Sequence, residues 1–345
     1  MLLLTGSIKG KEREKITEEI ETGEPILLVG THALIQENVN IPKLGFAVID
    51  EQHRFGVLQR TALKEKGYNP DLLFMTATPI PRSMLLTCYG DLDKSIIDEI
   101  PPGRIPQATF FETEDNIGKI YDFIKAKLSD DEQAFIVYPL VEESEKIDLK
   151  AAVESAEYLK KKVFNKNDVA LIHGRMKNDE KEEIMKKFRD GKTKVLVSTT
   201  VIEVGVDVPK ANIMVVMHAE RFGLSQLHQL RGRVGRSDKK SYCFLIGEPK
   251  NETAKERLMA LVDYTDGFKI AEIDLKLRGP GDYYGLRQSG IPDFILADIV
   301  KDEKILLAAR KAAFQVVKDG LNKYPGIERE IRKRREVYKI ESILH

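Results

Sequence analysis

The sequence predicts an α/β protein: two parallel-sheet lobes in series, followed by a helical hairpin and a helical tail. Three observations carry this. Short apolar runs alternate with amphipathic stretches through most of the chain. The alternation breaks once, at Glu99-Ile100-Pro101-Pro102-Gly103-Arg104, where two prolines and a glycine make a hinge. After about residue 250, runs of strand length cease. The lobes are therefore assigned to residues 1–104 and 105–250, and the tail to 251–345.

In the first lobe, Ile26–Val29, Phe46–Ile49 and Leu72–Met75 read as buried strands. Lys11–Glu21 and Val57–Lys66 read as the helices between them. In the second lobe the strands are Ala134–Tyr138, Val169–Ile172, Lys194–Ser198, Ile213–Met217 and Tyr242–Ile246. Asn116–Leu128, Lys150–Lys162, Asp179–Arg189 and Ser225–Arg231 are its helices. Strand–helix–strand alternation implies parallel strands with right-handed crossovers. In the tail, Asn251–Asp263 and Phe268–Leu277 are helical. Arg278-Gly279-Pro280-Gly281 forces a turn, and a helix runs through Lys301–Gly320. Glu328–Lys339 is dense in both charges and reads as a solvated helix end.

The chain is 42% hydrophobic and 32% charged, a globular balance with sizeable cores. No apolar run is long enough to cross a bilayer. Met1-Leu2-Leu3-Leu4 is followed at once by Thr5-Gly6-Ser7, which is not a secretory leader. Cys88 and Cys243 stand alone, as expected in a reduced, cytoplasmic compartment rather than in a disulfide scaffold or zinc site. Basic and acidic residues number 55 each, so any nucleic-acid binding must use local patches and backbone donors.

The chemistry concentrates at strand ends. Phe46–Ile49 runs into Asp50-Glu51-Gln52-His53, and adjacent carboxylates at a strand tip suit a metal-bound phosphate. Met75-Thr76-Ala77-Thr78-Pro79 follows the next strand and sets hydroxyls beside the acidic pair. In the second lobe Ser198-Thr199-Thr200 ends a strand, with Glu203, Gly205 and Asp207 after it. Gln229-Leu230-Arg231-Gly232-Arg233-Val234-Gly235-Arg236 then interleaves three arginines with two glycines, poor core material. Carboxylates in one lobe and spaced arginines in the other suit a nucleoside triphosphate.

Such a site needs a phosphate-cradling glycine loop. Gly6-Ser7-Ile8-Lys9-Gly10-Lys11-Glu12 has one residue too few between its glycines, and Glu12 stands where a metal-binding hydroxyl belongs. Gly191-Lys192-Thr193 lacks the earlier glycine, since position 186 is Lys186, and it leads from helix to strand rather than the reverse. Both read as ordinary turns. The cradle is expected upstream of the acidic strand.

These motifs resemble superfamily 2 helicases, whose two lobes are RecA-like, and more closely the RecG family of ATP-dependent DNA helicases. The resemblance rests on Asp50-Glu51-Gln52-His53-Arg54-Phe55-Gly56, Met75 to Arg82, Tyr89-Gly90-Asp91-Leu92-Asp93, Gln229 to Arg236 and Leu277 to Gly290. It implies the C-terminal motor part of such a helicase: a first RecA-like lobe truncated at its P-loop, a second lobe, and a translocation-motif hairpin. ATP and Mg²⁺ are the implied cofactors, and branched or forked double-stranded DNA the implied partner, with the complete protein a cytoplasmic monomer.

Residue by residue, the resemblance makes Asp50 the Mg²⁺ ligand and Glu51 the base for the attacking water. Gln52, His53, Gly205, Asp207 and Gln229 contact the nucleotide, while Arg233 and Arg236 stabilise the transferring phosphate. Thr76 and Thr78 couple the nucleotide to DNA. Thr5, Gly6, Ser7, Gly30, Thr31, His32, His173, Gly174, Thr199 and Thr200 form donor-rich turns for DNA phosphates. Arg278, Arg287 and Gln288 serve the hairpin as polar coupling residues, with Gly279, Gly281, Gly285 and Gly290 supplying its turns. Taken singly, each turn reads equally well as a cap. The chain alone is expected to hydrolyse little ATP. A non-catalytic DNA-binding or interaction module of helicase ancestry is the competing reading. An RNA helicase is disfavoured by Asp-Glu-Gln-His and by the tail.

Overall fold

The computed structural model describes residues 1–6, 8–36, 39–51, 63, 66–67, 70–77, 92–99, 102–103, 105–139, 145–199, 208–278 and 302–338. These fall into two compact units, one within residues 1–79 and one formed by residues 80–280 and 293–345.

The first unit holds two short parallel ladders. Strand β1 (Leu2–Leu4) pairs with β2 (Leu28–Gly30), and β3 (Phe46–Ile49) pairs with β4 (Asp71–Phe74). Helix α1 (Lys11–Glu21) links the first two strands and turns Ile16 and Ile20, one helical turn apart, towards Leu4, Ala33 and Val39. The other face is partly exposed among the described residues. Register pairs Leu3 with Val29 and Val48 with Leu73, and all four are about half exposed, at 54%, 45%, 51% and 46%. Phe46 adds to this apolar surface at 59% exposure. The expected Val57–Lys66 helix falls almost wholly outside the described residues.

The second unit is built on one six-stranded, all-parallel sheet. Its strands are β5 (Ala108–Glu112), β6 (Gln133–Val137), β7 (Val169–Ile172), β8 (Val195–Ser198), β9 (Ala211–Val216) and β10 (Tyr242–Ile246), in the order β5-β10-β9-β6-β8-β7. Every residue of the central strands β6, β8 and β9 is buried. Period-2 alternation splits them between two cores. Ala134, Ile136, Val195, Val197, Ile213 and Val215 face α2 (Ile117–Ser129) and α3 (Glu145–Tyr158). Phe135, Leu196, Met214 and Val216 face α4 (Asn178–Arg189) and α5 (Leu224–Arg231). Helices α6 (Glu252–Asp263) and α7 (Gly267–Arg278) join that second core through Leu258, Leu261 and Ile270.

Two strands escape the sequence reading. β1 has three residues, and β5 is an edge strand held by β10 alone. Among the described residues no strand follows β10. α8 (Glu303–Asp319) and α9 (Pro325–Tyr338) complete the helical tail. α7 ends at Arg278, where the glycine-proline run begins. On α9 the exposed Arg332 pairs with Glu328 one turn earlier at 2.6 Å, as a solvated helix requires. Among the described residues no helix is long and apolar enough to cross a membrane.

Candidate functional site

In the first unit, parallel pairing gathers the candidate residues at the C-terminal ends of the strands. β3 and β4 run in register, and Met75 donates its N–H to the Ile49 carbonyl at 2.8 Å. Asp50-Glu51 and Thr76 therefore emerge side by side. Glu51 has φ +54°, a left-handed conformation costly for a residue with a Cβ. Its N–H reaches back to the Asp50 carboxylate at 2.9 Å. Asp50 is exposed, which suits a Mg²⁺ ligand sharing the ion with phosphate and water.

β1 and β2 repeat the pattern. Leu4 pairs with Gly30, and the Thr31 N–H donates to the Leu4 carbonyl at 3.3 Å. Thr5-Gly6 thus lies beside Gly30, Thr31 and the backbone of His32. A Cβ on Gly30 would sit 2.1 Å from the Leu4 carbonyl oxygen, so only glycine permits this approach.

The second unit separates its candidates by sheet edge. His173-Gly174 follows β7 and Thr199 follows β8, and Thr199 N–H donates to the Ile172 carbonyl at 3.4 Å. These stand together at the C-terminal edge. Thr199 is fully buried; its hydroxyl and His173 Nδ1 find no hydrogen-bond partner among the described residues. Burial, and secondarily Lys181 and Arg175, hold the His173 pKa below its ordinary value. The arginine segment instead sits where α5 returns to the N-terminal edge, before β10. Strands of this length place the two edges roughly 15–20 Å apart.

Packing sorts the three arginines. Leu224, Leu227 and Leu230 of α5 are buried in the core. Arg231 lies four residues after Leu227 and seven after Leu224, so helical periodicity turns it inward. It is 3% exposed, against the expectation that these arginines are poor core material. Its guanidinium donates to the carbonyls of Leu261 (2.9 Å), Tyr264 (2.8 Å) and Thr265 (3.1 Å). These carbonyls lie where α6 ends, and a cation there also opposes the helix dipole. Arg231 also approaches His228 Nδ1 at 3.0 Å. A guanidinium can only donate, so that nitrogen accepts and the imidazole is neutral. Burial, then the Arg231 charge, lowers the His228 pKa to about 4. Burial likewise pushes the nearby Cys243 thiol up to about 12, leaving it protonated and unreactive.

Past Gly232, Arg233 is partly exposed and Arg236 exposed, while Val234 and Gly235 between them are buried. Gln229 is partly exposed on the same helix. Gln52, His53, Ser7, Thr78, Thr200, Gly205, Asp207, Arg287 and Gln288 lie outside the described residues, as does the Arg278 side chain. Arg231 is the residue that sequence reading missed. Its place on the apolar stripe of α5 was the available signal.

An α/β lobe of this topology, with paired candidates at both sheet edges, is a RecA-like helicase C-terminal lobe. The family model for the helicase conserved C-terminal domain matches residues 115–238. That for "ATP-dependent DNA helicase RecG, domain 3, C-terminal" matches residues 264–340. The chain is 52% identical over 336 residues to the RecG helicase of Synechocystis sp., covering 97% of this chain and 40% of the relative. It is 51% identical over 319 residues to that of Thermotoga maritima, covering 92% and 41%. A solved RecG bound to a three-way DNA junction superposes with TM-score 0.64 at 48% identity, over 88% of this chain and 39% of that one. The helicase MrfA bound to DNA shares the fold at TM-score 0.56 and 15% identity. This chain is a homologue of the RecG ATP-dependent DNA helicases over nearly its whole length, and spans about 40% of the length of these relatives.

Proposed function

We propose that the chain forms the motor region of a cytoplasmic ATP-dependent DNA helicase that acts on branched double-stranded DNA. The observation that carries this is identity near 50% running through both the acidic strand and the arginine helix into the tail. In this reading Asp50 would hold Mg²⁺, which would neutralise phosphate charge. Glu51 takes the proton of the attacking water. Arg233 and Arg236 would stabilise charge on the transferring phosphate and Gln229 would contact the nucleotide; a finger of this kind is worth roughly 10³–10⁵ in rate. Thr76 relays nucleotide state towards Thr5-Gly6 and Gly30-Thr31, and His173-Gly174 and Thr199 serve the same DNA from the second lobe. Gln52, His53, Gly205, Asp207, Thr78, Arg278, Arg287 and Gln288 keep the roles that the resemblance implies.

The 345 residues contain no Gly-x4-Gly-Lys-Ser/Thr segment, so the backbone amides and lysine that usually cradle the phosphates are not supplied by this chain. We expect little ATP turnover from it alone. The test is calorimetric titration with Mg·ATP, paired with ATPase assays on three-way-junction DNA and on duplex RNA. Weak nucleotide binding with preferential junction binding is expected. Micromolar affinity and steady turnover would overturn the deficiency; preference for duplex RNA would overturn the substrate. Junction binding by the chain, with no turnover even when a P-loop-bearing segment is joined to it, would favour the non-catalytic module.

A further inference from the structure

The arginine segment is held by a seat that the chemistry above does not use. Val234 is fully buried and its carbonyl accepts a hydrogen bond from Gln107 Nε2 at 3.0 Å, across 127 residues of sequence. Gly235 follows with φ +78°, and a Cβ there would lie 2.5 Å from Ser241 Oγ and 3.1 Å from Gln107 Nε2. The site excludes every side chain on conformation and on space. One residue past Arg236, Ser237 Oγ donates to Asn212 Oδ1 at 3.0 Å. Asn212 and Ser241 are each 1% exposed.

The seat is thus built from three places at the N-terminal edge of the sheet: Gln107 just before β5, Asn212 on β9 and Ser241 just before β10. It clamps the two buried residues that separate Arg233 from Arg236.

We propose that Gln107 is a positioning residue for the arginine pair. Its hydrogen bond to the Val234 carbonyl fixes the Val234–Gly235 turn so that Arg233 and Arg236 project at a set angle. This rests on the reading of Arg233 and Arg236 as phosphate-facing. A displacement of about 1 Å in a charge-stabilising group can cost on the order of a hundredfold in rate.

The first test uses the 345-residue chain. Gln107→Met keeps the side-chain length and removes the donor, whereas Gln107→Lys keeps a donor. Hydrogen exchange at residues 233–237 should rise about tenfold in Gln107→Met, with β9 and β10 unchanged, and return towards the parent in Gln107→Lys. The second test joins this chain to the portion of the Thermotoga maritima relative that it does not match, and measures junction-stimulated ATPase. Gln107→Met should lower kcat about tenfold with KM for ATP within about twofold, as expected for a group that acts in the transition state. Added to Arg236→Ala it should cause little further loss. Unchanged exchange would overturn the seat. Faster exchange with unchanged kcat, in a protein that Arg236→Ala does disable, would overturn the positioning role. Parent-like kcat in Arg236→Ala would instead overturn the arginine reading, and the proposal with it.

Discussion

The two kinds of parallel sheet in this chain meet solvent differently. In the second unit, β6, β8 and β9 are buried on both faces, and helices cover each side. In the first unit the described residues form two-stranded ladders whose Leu3, Val29, Phe46, Val48 and Leu73 are about half exposed. Parallel strands are almost always covered on both faces, and two-stranded sheets are marginal in water. The carboxylates Asp50 and Glu51 therefore stand on the weaker scaffold, and the arginines on the stronger one.

The largest expected effect is in local opening. Amides of Phe135, Val197 and Val215 should exchange with deuterium on the order of a hundredfold or more slowly than those of Thr31 and Met75, because opening a doubly covered core strand approaches global unfolding. Equal protection would show that the two scaffolds open alike. Loss of that equality on dilution would show that association covers the half-exposed faces.

How much of this was legible in the sequence follows from the same contrast. Strands buried on both faces need apolar runs, and Ala134–Tyr138 and Lys194–Ser198 announce β6 and β8 in that way, with bounds within one residue of the structure. Strands held mainly by neighbours do not. β5 reads Ala-Thr-Phe-Phe-Glu after a proline-rich segment and becomes a strand because β10 presents an open edge. The acidic tip Asp50-Glu51 was legible because function puts charge at the end of an apolar run. The role of Arg231 was not: its acceptors lie 30 to 34 residues downstream, at the end of a helix whose position depends on the whole core. Local pattern places a residue on a face, whereas burial of a cation depends on distant carbonyls.

Arg231→Met keeps bulk but leaves the Leu261, Tyr264 and Thr265 carbonyls without their donor inside the core. A loss of about 3 kcal/mol or more is expected in urea unfolding of the second unit, followed by far-UV circular dichroism. The first unit should be indifferent. A loss under about 1 kcal/mol would mean that water replaces the guanidinium, and that the α5–α6 junction is looser than its geometry implies.

The smallest effect concerns acid, and its sign follows from which state binds the proton. His228 has a folded pKa of about 4 against an ordinary 6.5, because burial and the Arg231 charge disfavour imidazolium. Above pH 6.5 the ring is neutral in both states and its contribution is fully present. As pH falls from 6.5 towards 4, the unfolded chain takes up a proton that the fold refuses, so stability declines, by at most about 3 kcal/mol, and then levels. His173, also lowered by burial, adds to the upper part of that window with the same sign. Asp131, held near 2 by its hydrogen bonds to Lys194 and Lys210, acts only below about pH 4 and does not overlap. Denaturation curves for the parent, His228→Gln and His173→Gln between pH 7 and 4.5 separate these contributions. The slope should flatten most in His228→Gln. A slope unchanged in that variant would show that the ring is already protonated in the fold, and that the Arg231 contact is not the neutral acceptor bond described above.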